Sequence, residues 1–181
     1  PRVYVVDYDP AWTQRYDTLR DMIWPAVCDI AQKIEHVGST SVPQLAAKPI
    51  IDLDVIVTAH ADIERCVRAL TPLGYNHLGE LGIQGRHALR HHSPLFAHNL
   101  YVCLAGSVGL RNHLTLRDHL RQHPADALAY STLKKQLADQ HPYDINAYVA
   151  GKTSFILSIL ALYPMTDAEL KAIEQANTAP T

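Results

Sequence analysis

The sequence predicts an α+β fold: a mixed α/β half to about residue 105, then a helical half from about 106 to 176. Three observations carry this. Residues 50–57 alternate acids with β-branched and aliphatic residues at the period of a strand. From Ser107 onward, long stretches of helical spacing are opened by capping residues and prolines. The chain has 181 residues, of which 48% are hydrophobic. That suffices for one core, and no internal repeat or low-complexity linker divides it. The chain is read as a single domain, 1–181.

Residues 3–6 are a short apolar stretch expected as a strand. Asp9 and Pro10 suit the start of a helix, continued by Trp12, Tyr16, Leu19, Ile23, Val27 and Ile30. Pro25 is expected to kink or break it. Residues 34–37 form a strand running into the turn Gly38-Ser39-Thr40-Ser41. In the strand over 50–57, Ile51, Leu53, Val55 and Val57 share one face, and Asp52 and Asp54 share the other. Residues 61–73 read as an amphipathic helix. A glycine-rich hairpin or loop over 78–85 separates strands near 75 and 86–91, and 98–104 is a further strand. Ser107 caps a helix to about His123, Pro124 starts another to about Gln140, and 143–163 is helical with a break near Gly151. Thr166 and Glu169 form a capping box for a last helix. The tail after Asn177 is expected to be loose.

Composition excludes several classes. A net charge of −2 gives no general drive toward nucleic acid or acidic membrane. The longest apolar run, near 155–162, falls far short of the roughly 20 residues that cross a bilayer. No basic segment followed by an apolar stretch opens the chain, so no signal peptide is expected. Cys28, Cys66 and Cys103 are odd in number and lack a CxxC pair. They are expected to be reduced and mostly buried, in a cytoplasmic protein. Most of the eleven histidines are read as solvated surface, since no pair at zinc-ligand spacing stands in a clear helix or strand.

The chemistry concentrates in two segments. Asp52 and Asp54 sit roughly 7 Å apart along one strand face, in an otherwise apolar run. Two carboxylates buried together cost free energy unless a cation compensates, and magnesium takes carboxylate and phosphate oxygens readily. The alternative is an edge strand with both acids facing water. Upstream, Gly38 allows close backbone approach, and Ser39, Thr40 and Ser41 offer hydroxyls to phosphate oxygens. A Gly-Ser turn followed by Asp-x-Asp on the next strand resembles the signature of the nucleotidyltransferase superfamily. The resemblance implies a triphosphate on the turn and a metal on the acids.

A narrower resemblance covers nearly the whole chain, from about residue 7 to 162. Residues 34–43 (IEHVGSTSVP) and 45–52 (LAAKPIID) resemble the hallmark of the GrpB family. The similarity continues through 73–75, 82–86, 99–102, 116–121, 130–134 and 143–152. It implies a nucleotidyltransferase-like mixed β-sheet core flanked by helices. It further implies a Mg2+- (or Mn2+-) dependent transfer of a nucleotidyl group from a nucleoside triphosphate to an unknown acceptor. Asp52 and Asp54 would hold the metal, and Gly38 and Ser39, with Thr40 and Ser41, the phosphates. Arg117 and Arg121, one helical turn apart and continuing the stripe of Leu110 and Leu114, would steady charge; the alternative pairs them with Asp118 or Glu35. Arg86 would clamp the triphosphate, and Lys48 would meet phosphate or pair with Asp52; Lys134 and Lys152 fit the family's pattern on their helices, where most lysines are surface residues.

Departures from the family pattern are informative. Gln44 stands at a usual glycine, so its turn is expected to avoid a left-handed backbone. The strand over 98–104 lacks the third acid common in active nucleotidyltransferases; His98, Asn99 or Tyr101 would fill the place, or Glu80 from its loop. His36 is expected to orient the turn through a backbone hydrogen bond. The missing acid keeps a second reading open: an accessory module that binds nucleotide or phosphate without turnover.

Overall fold

The computed structural model describes residues 1–179. Its frame is a five-stranded sheet in the order β1-β2-β5-β4-β3. The strands are β1 (Lys33–Val37), β2 (Ile51–Val57), β3 (Tyr75–Gly79), β4 (Arg86–His91) and β5 (His98–Leu104). Only the β2–β5 pair is parallel; the others are antiparallel. The helices are α1 (Ala11–Val27), α2 (His60–Leu70), α3 (Val108–Gln122), α4 (Pro124–Gln140), α5 (Ile145–Leu160) and α6 (Asp167–Thr178). The mixed half followed by a helical half is thus the architecture observed.

β2 carries the design. Ile51, Leu53, Val55 and Val57 point to one face, where Leu19, Ile23 and Val27 of α1 and Ile63, Cys66 and Leu70 of α2 complete the main core. The opposite face is covered by α3, with Ile56, Cys103 and Leu110 forming a small apolar cluster. The helical half builds its own core from Leu120, Tyr130, Ile156, Leu160 and Ile173. Val42 and Leu45, from the segment after Gly38, insert into it, so the turn is clamped between the two halves.

Several local expectations are corrected. Residues 3–6 form no strand; Val6 makes one antiparallel bridge to Ala47. Helix α1 passes through Pro25 and ends two residues later, with the Cys28 N–H still bonded to the Trp24 carbonyl. In the last turn the proline forfeits one bond and ends the helix instead of breaking it midway. Helix α5 is continuous through Gly151. A Cβ there would collide with the Leu137 side chain of α4, so this glycine serves close helix packing. Gln44 does adopt a left-handed backbone, φ +67°, against expectation. Cys28 is exposed, and all three cysteines are free. The capping box of α6 forms as expected. That helix reaches Thr178, past the point where a loose tail was expected, and residues 180–181 lie outside the described residues. Among the described residues no helix is long and apolar enough to cross a membrane.

Candidate active site

The site forms where β1 turns into β2. Val37 pairs with Asp52, and Glu35 with Asp54, so the chain leaving β1 passes directly over the acids. Gly38 takes φ +70°, and a Cβ on it would collide with the Asp52 carboxylate. Only glycine allows that approach. Ser39–Ser41 then form one 3-10 turn.

β2 lies between β1 and β5, so the edge-strand alternative does not hold. Asp54 is fully buried; its Oδ2 lies 2.7 Å from His113 Nδ1, while its Oδ1 has no partner. Asp52 is half-buried and walls two adjoining cavities. Its Oδ1 accepts a 2.8 Å hydrogen bond from Asn99 Nδ2. Burial raises its carboxyl above the usual aspartate range, and Asn99, which bonds the ionised form, offsets part of that.

One cavity is lined by lysines. Lys48, Lys134 and Lys152 share it with Ser39, Thr40 and Asp52. Lys134, 1% exposed, donates to Ser39 Oγ at 2.8 Å and to the Ala46 carbonyl, and lies 4.4 Å from the Tyr130 ring centroid. Burial, then the Lys152 charge, pushes its ammonium well below the ordinary range. Burial and the Lys48 charge lower Lys152 to about 8. Three crowded ammoniums facing one carboxylate leave a surplus of positive charge, the condition of an anion site.

The second cavity lies on the other side of Asp52, toward α3. Arg86, Tyr101, His113, Arg117 and Gly38 border it. Arg117 is held by Glu35 Oε2 at 2.7 Å, Asp118 Oδ1 at 2.8 Å and the His36 carbonyl at 3.0 Å. The ion pairs weighed for it in the sequence are therefore formed, at the cavity rim.

Not every residue singled out in the sequence reaches these cavities. Ser41 turns its hydroxyl back to the Gly38 carbonyl at 2.5 Å. Its own carbonyl accepts two bonds from Arg121, at 3.0 and 2.7 Å. Both residues border a separate groove with Tyr16 and His36, so they brace the turn from behind. Thr40 Oγ1 bonds His36 Nε2 at 3.0 Å; His36 acts through its ring and not through a backbone bond. Burial, with the charges of Arg121 and Arg117, holds His36 near 4, so it is neutral at physiological pH. On β5, Asn99 pairs with Asp52 and Tyr101 with Asp54, occupying the place of a third acid. His98 instead bonds the Tyr75 hydroxyl at 2.8 Å. Glu80 closes its own loop by accepting from the Gly85 N–H at 2.8 Å.

Sequence reasoning missed His113 and Asn112. Both lie on α3 among Gly109, Leu110, Leu116 and Leu120, so each interrupts an inward stripe. That is the signal which singled out Arg117. A histidine pair at one-turn spacing also exists, contrary to expectation: His119 of α3 and His123, just past its end, stack with centroids 4.0 Å apart. Both His119 nitrogens are engaged, by Tyr163 Oη and Asp126 Oδ2 at 2.7 Å. Among the described residues no group of three or more His, Cys, Asp or Glu could hold a metal.

A smaller donor set still suits a magnesium-type ion. Asp52 Oδ2 carries no protein hydrogen bond, and Asp54 Oδ1 is a buried carboxylate oxygen without a partner. Magnesium uses one or two carboxylates when phosphate and water complete its shell. The orphaned oxygen makes the pair compatible with one such ion.

Comparisons with known proteins agree with this architecture. The model of the family described as GrpB protein matches residues 2–162. The chain belongs to the GrpB family. UPF0157 protein YqkA of Bacillus subtilis (strain 168) is 35% identical over 155 residues, covering 86% of this chain and 45% of that protein. The chain thus spans about half the length of this relative. The crystal structure of conserved protein GrpB from Enterococcus faecalis superposes with a TM-score of 0.77 at 35% identity, covering 94% of this chain and 98% of that one. The non-canonical poly(A) polymerase complex GLD-2–GLD-3 matches with a TM-score of 0.60 at 17% identity, covering 88% of this chain and 56% of that one. The last likeness shows the fold, which is nucleotidyltransferase-like.

Proposed function

We propose that this GrpB-family chain is a magnesium-dependent nucleotidyltransferase, moving a nucleotidyl group from a nucleoside triphosphate to a hydroxyl acceptor. The observation that carries the reading is the position of Asp52. It lies under the Gly38–Ser39 turn and opposite Lys48, Lys134 and Lys152. A triphosphate laid on the lysines brings its phosphates beside the carboxylate.

Asp52 and Asp54 are the residues that would hold Mg2+ (or Mn2+), which when bound neutralises charge on the phosphates. The lysines bind the β and γ phosphates, and Ser39, fixed by Lys134, orients them. The acceptor oxygen bonds to the α-phosphorus, and the bond from that phosphorus to the bridging oxygen breaks. Pyrophosphate leaves, and the hydroxyl proton passes to water in the open cavity. Asp54 is positioned by His113, and Gly38 keeps the approach clear.

Isothermal titration tests the reading. A nucleoside triphosphate with magnesium is expected to bind, and Asp52→Asn to weaken turnover by about 100-fold or more, the scale for losing one preorganised charge-stabilising group. Absence of heat with all four triphosphates, with and without magnesium, overturns it. A second reading, binding without turnover, is favoured by Asn99 and Tyr101 in the place of the third acid. Release of pyrophosphate by the wild-type protein and not by Asp52→Asn excludes it.

A further inference from the structure

The two cavities that meet at Asp52 share Lys152, but Arg86 borders only the second, and unlike Arg117 beside it Arg86 has no partner for its charge among the described residues. Arg86 leaves the start of β4 with its guanidinium 4.9 Å from the Tyr101 ring centroid. Its side chain makes no ion pair or hydrogen bond with any described residue, and its Nε is buried and unpartnered. The fold makes room for it. A Cβ on Gly109, at the start of α3, would stand 2.9 Å from Arg86 Cβ and 3.1 Å from its Cδ.

Asn112, one turn further along α3, is 8% exposed and lines the same cavity, where its amide has no partner among the described residues. A buried Nε–H without an acceptor costs free energy, and the Asn112 amide lines the same cavity without a partner among the described residues. Together they mark a place that a ligand completes. Leu116, Leu120 and Ile156 supply an apolar wall in this cavity of about 200 Å³.

We infer that this cavity is a second anion site, distinct from the lysine cavity, and that it seats the acceptor: a small molecule with a phosphate or carboxylate on an apolar body. The planar fork of Arg86 takes the anionic headgroup. Asn112 takes a neighbouring polar group, and the leucines cover the apolar body. The inference rests on the reading that the lysine cavity takes the triphosphate. Two anions then approach Asp52 from opposite sides, and the acceptor hydroxyl meets the α-phosphorus between them. Oxygen–phosphorus bond formation displaces pyrophosphate toward the lysines, and the hydroxyl proton goes to water.

The experiment is a double titration of the full chain. Tripolyphosphate is titrated first. Phenyl phosphate and benzoate are then titrated separately into protein saturated with it, and the pair separates a phosphate from a carboxylate headgroup. At least one aromatic anion is expected to bind the saturated protein. Arg86→Gln is expected to weaken that binding about tenfold or more and to leave tripolyphosphate binding unchanged. Lys134→Met is expected to do the reverse, and Asn112→Leu, with an unchanged melting temperature, to follow Arg86→Gln. Arg86→Lys recovers only part, since it restores charge without the fork.

Competition of both aromatic anions with tripolyphosphate for one site overturns the inference. So does binding of neither, or binding indifferent to Arg86→Gln. Tripolyphosphate binding that ignores Lys134→Met and Lys152→Met defeats the triphosphate reading instead. In that case the Arg86 site stands on its own titration.

Discussion

The two faces of β2 share a backbone and a place in the sheet, yet they do different work. The odd-numbered face, Ile51 to Val57, meets α1 and α2 in a close-packed apolar layer where every member is at most 1% exposed. The even-numbered face places Asp52 in the wall of two cavities that cations also line, and buries Asp54 against His113. One face stabilises the domain. The other holds a carboxylate oxygen without a partner, an arrangement that favours a ligand over the empty fold. Mutations on the two faces should therefore separate stability from binding.

The largest effect is expected on the packed face. Leu53→Ala removes a fully buried side chain and should lower unfolding free energy by about 2–5 kcal/mol, read by urea denaturation. Its tripolyphosphate affinity below the transition should match wild type. A large fall in affinity without loss of stability would break the division between the faces. Gly38→Ala should follow at about 1–3 kcal/mol, the scale of a strained left-handed residue. Unlike Leu53→Ala, it should also weaken binding, because the new methyl displaces the Asp52 carboxylate.

Asp52→Asn is expected to act in the opposite direction on stability. Burial raises the folded carboxyl above its ordinary value of 3.8. Ionisation therefore favours the unfolded chain, and stability falls as pH rises from the unfolded value through the folded one. The amide removes that cost, so the melting temperature at neutral pH should rise, while the proposed binding of magnesium and triphosphate should be lost. A melting temperature that falls would mean the charge is compensated within the protein and needs no ligand.

Lys152 sharpens the contrast through pH. Its folded value of about 8 lies below the ordinary 10.5. Between the two the unfolded chain holds a proton that the folded chain has released, so stability should rise with pH in that window. Anion affinity should fall there, since the ammonium that attracts phosphate is lost, and titration above pH 8 in buffers of different ionisation enthalpy should show proton uptake on binding. Lys152→Met should weaken both trends, leaving the part contributed by Lys134 and Lys48, which burial also lowers. The odd face carries no titrating group, so Leu53→Ala should shift the stability curve without changing its slope.

Much of this is legible in the sequence. Period-two alternation placed the acids on one face, and the Gly38 turn announced a close approach. The capping box and Ser107 fixed two helix starts. The cavities were not legible, because they depend on which helix faces return to the sheet. His113 lies 59 residues from Asp54. A local signal did exist in the helical half: Lys134 falls within the buried stripe of Tyr130, Ser131, Leu137 and Ala138. Likewise Lys152 lies between Tyr148 and Ile156. A charged residue inside an apolar stripe is the pattern that singled out Arg117, and it applies equally to these lysines.

The smallest effect concerns Gln44, in the segment joining Gly38 to β2. The sequence suggested that a non-glycine here would keep the backbone out of the left-handed region, yet φ is +67°. Local preference loses because its neighbours are fixed. Leu45 is fully buried in the helical core, and the Ala46 N–H donates to Ser131 Oγ at 3.0 Å. The Ala46 carbonyl receives Lys134. The chain must reverse at residue 44 to satisfy both. Gln44→Gly should relieve that strain and raise stability by about 1 kcal/mol or less, since glycine's unfolded freedom offsets part of the gain. Because Lys134 is anchored by the same segment, tripolyphosphate affinity should stay constant if the reversal is set by packing. A weakened affinity would mean that the strained glutamine itself holds Ala46 and the lysine in place.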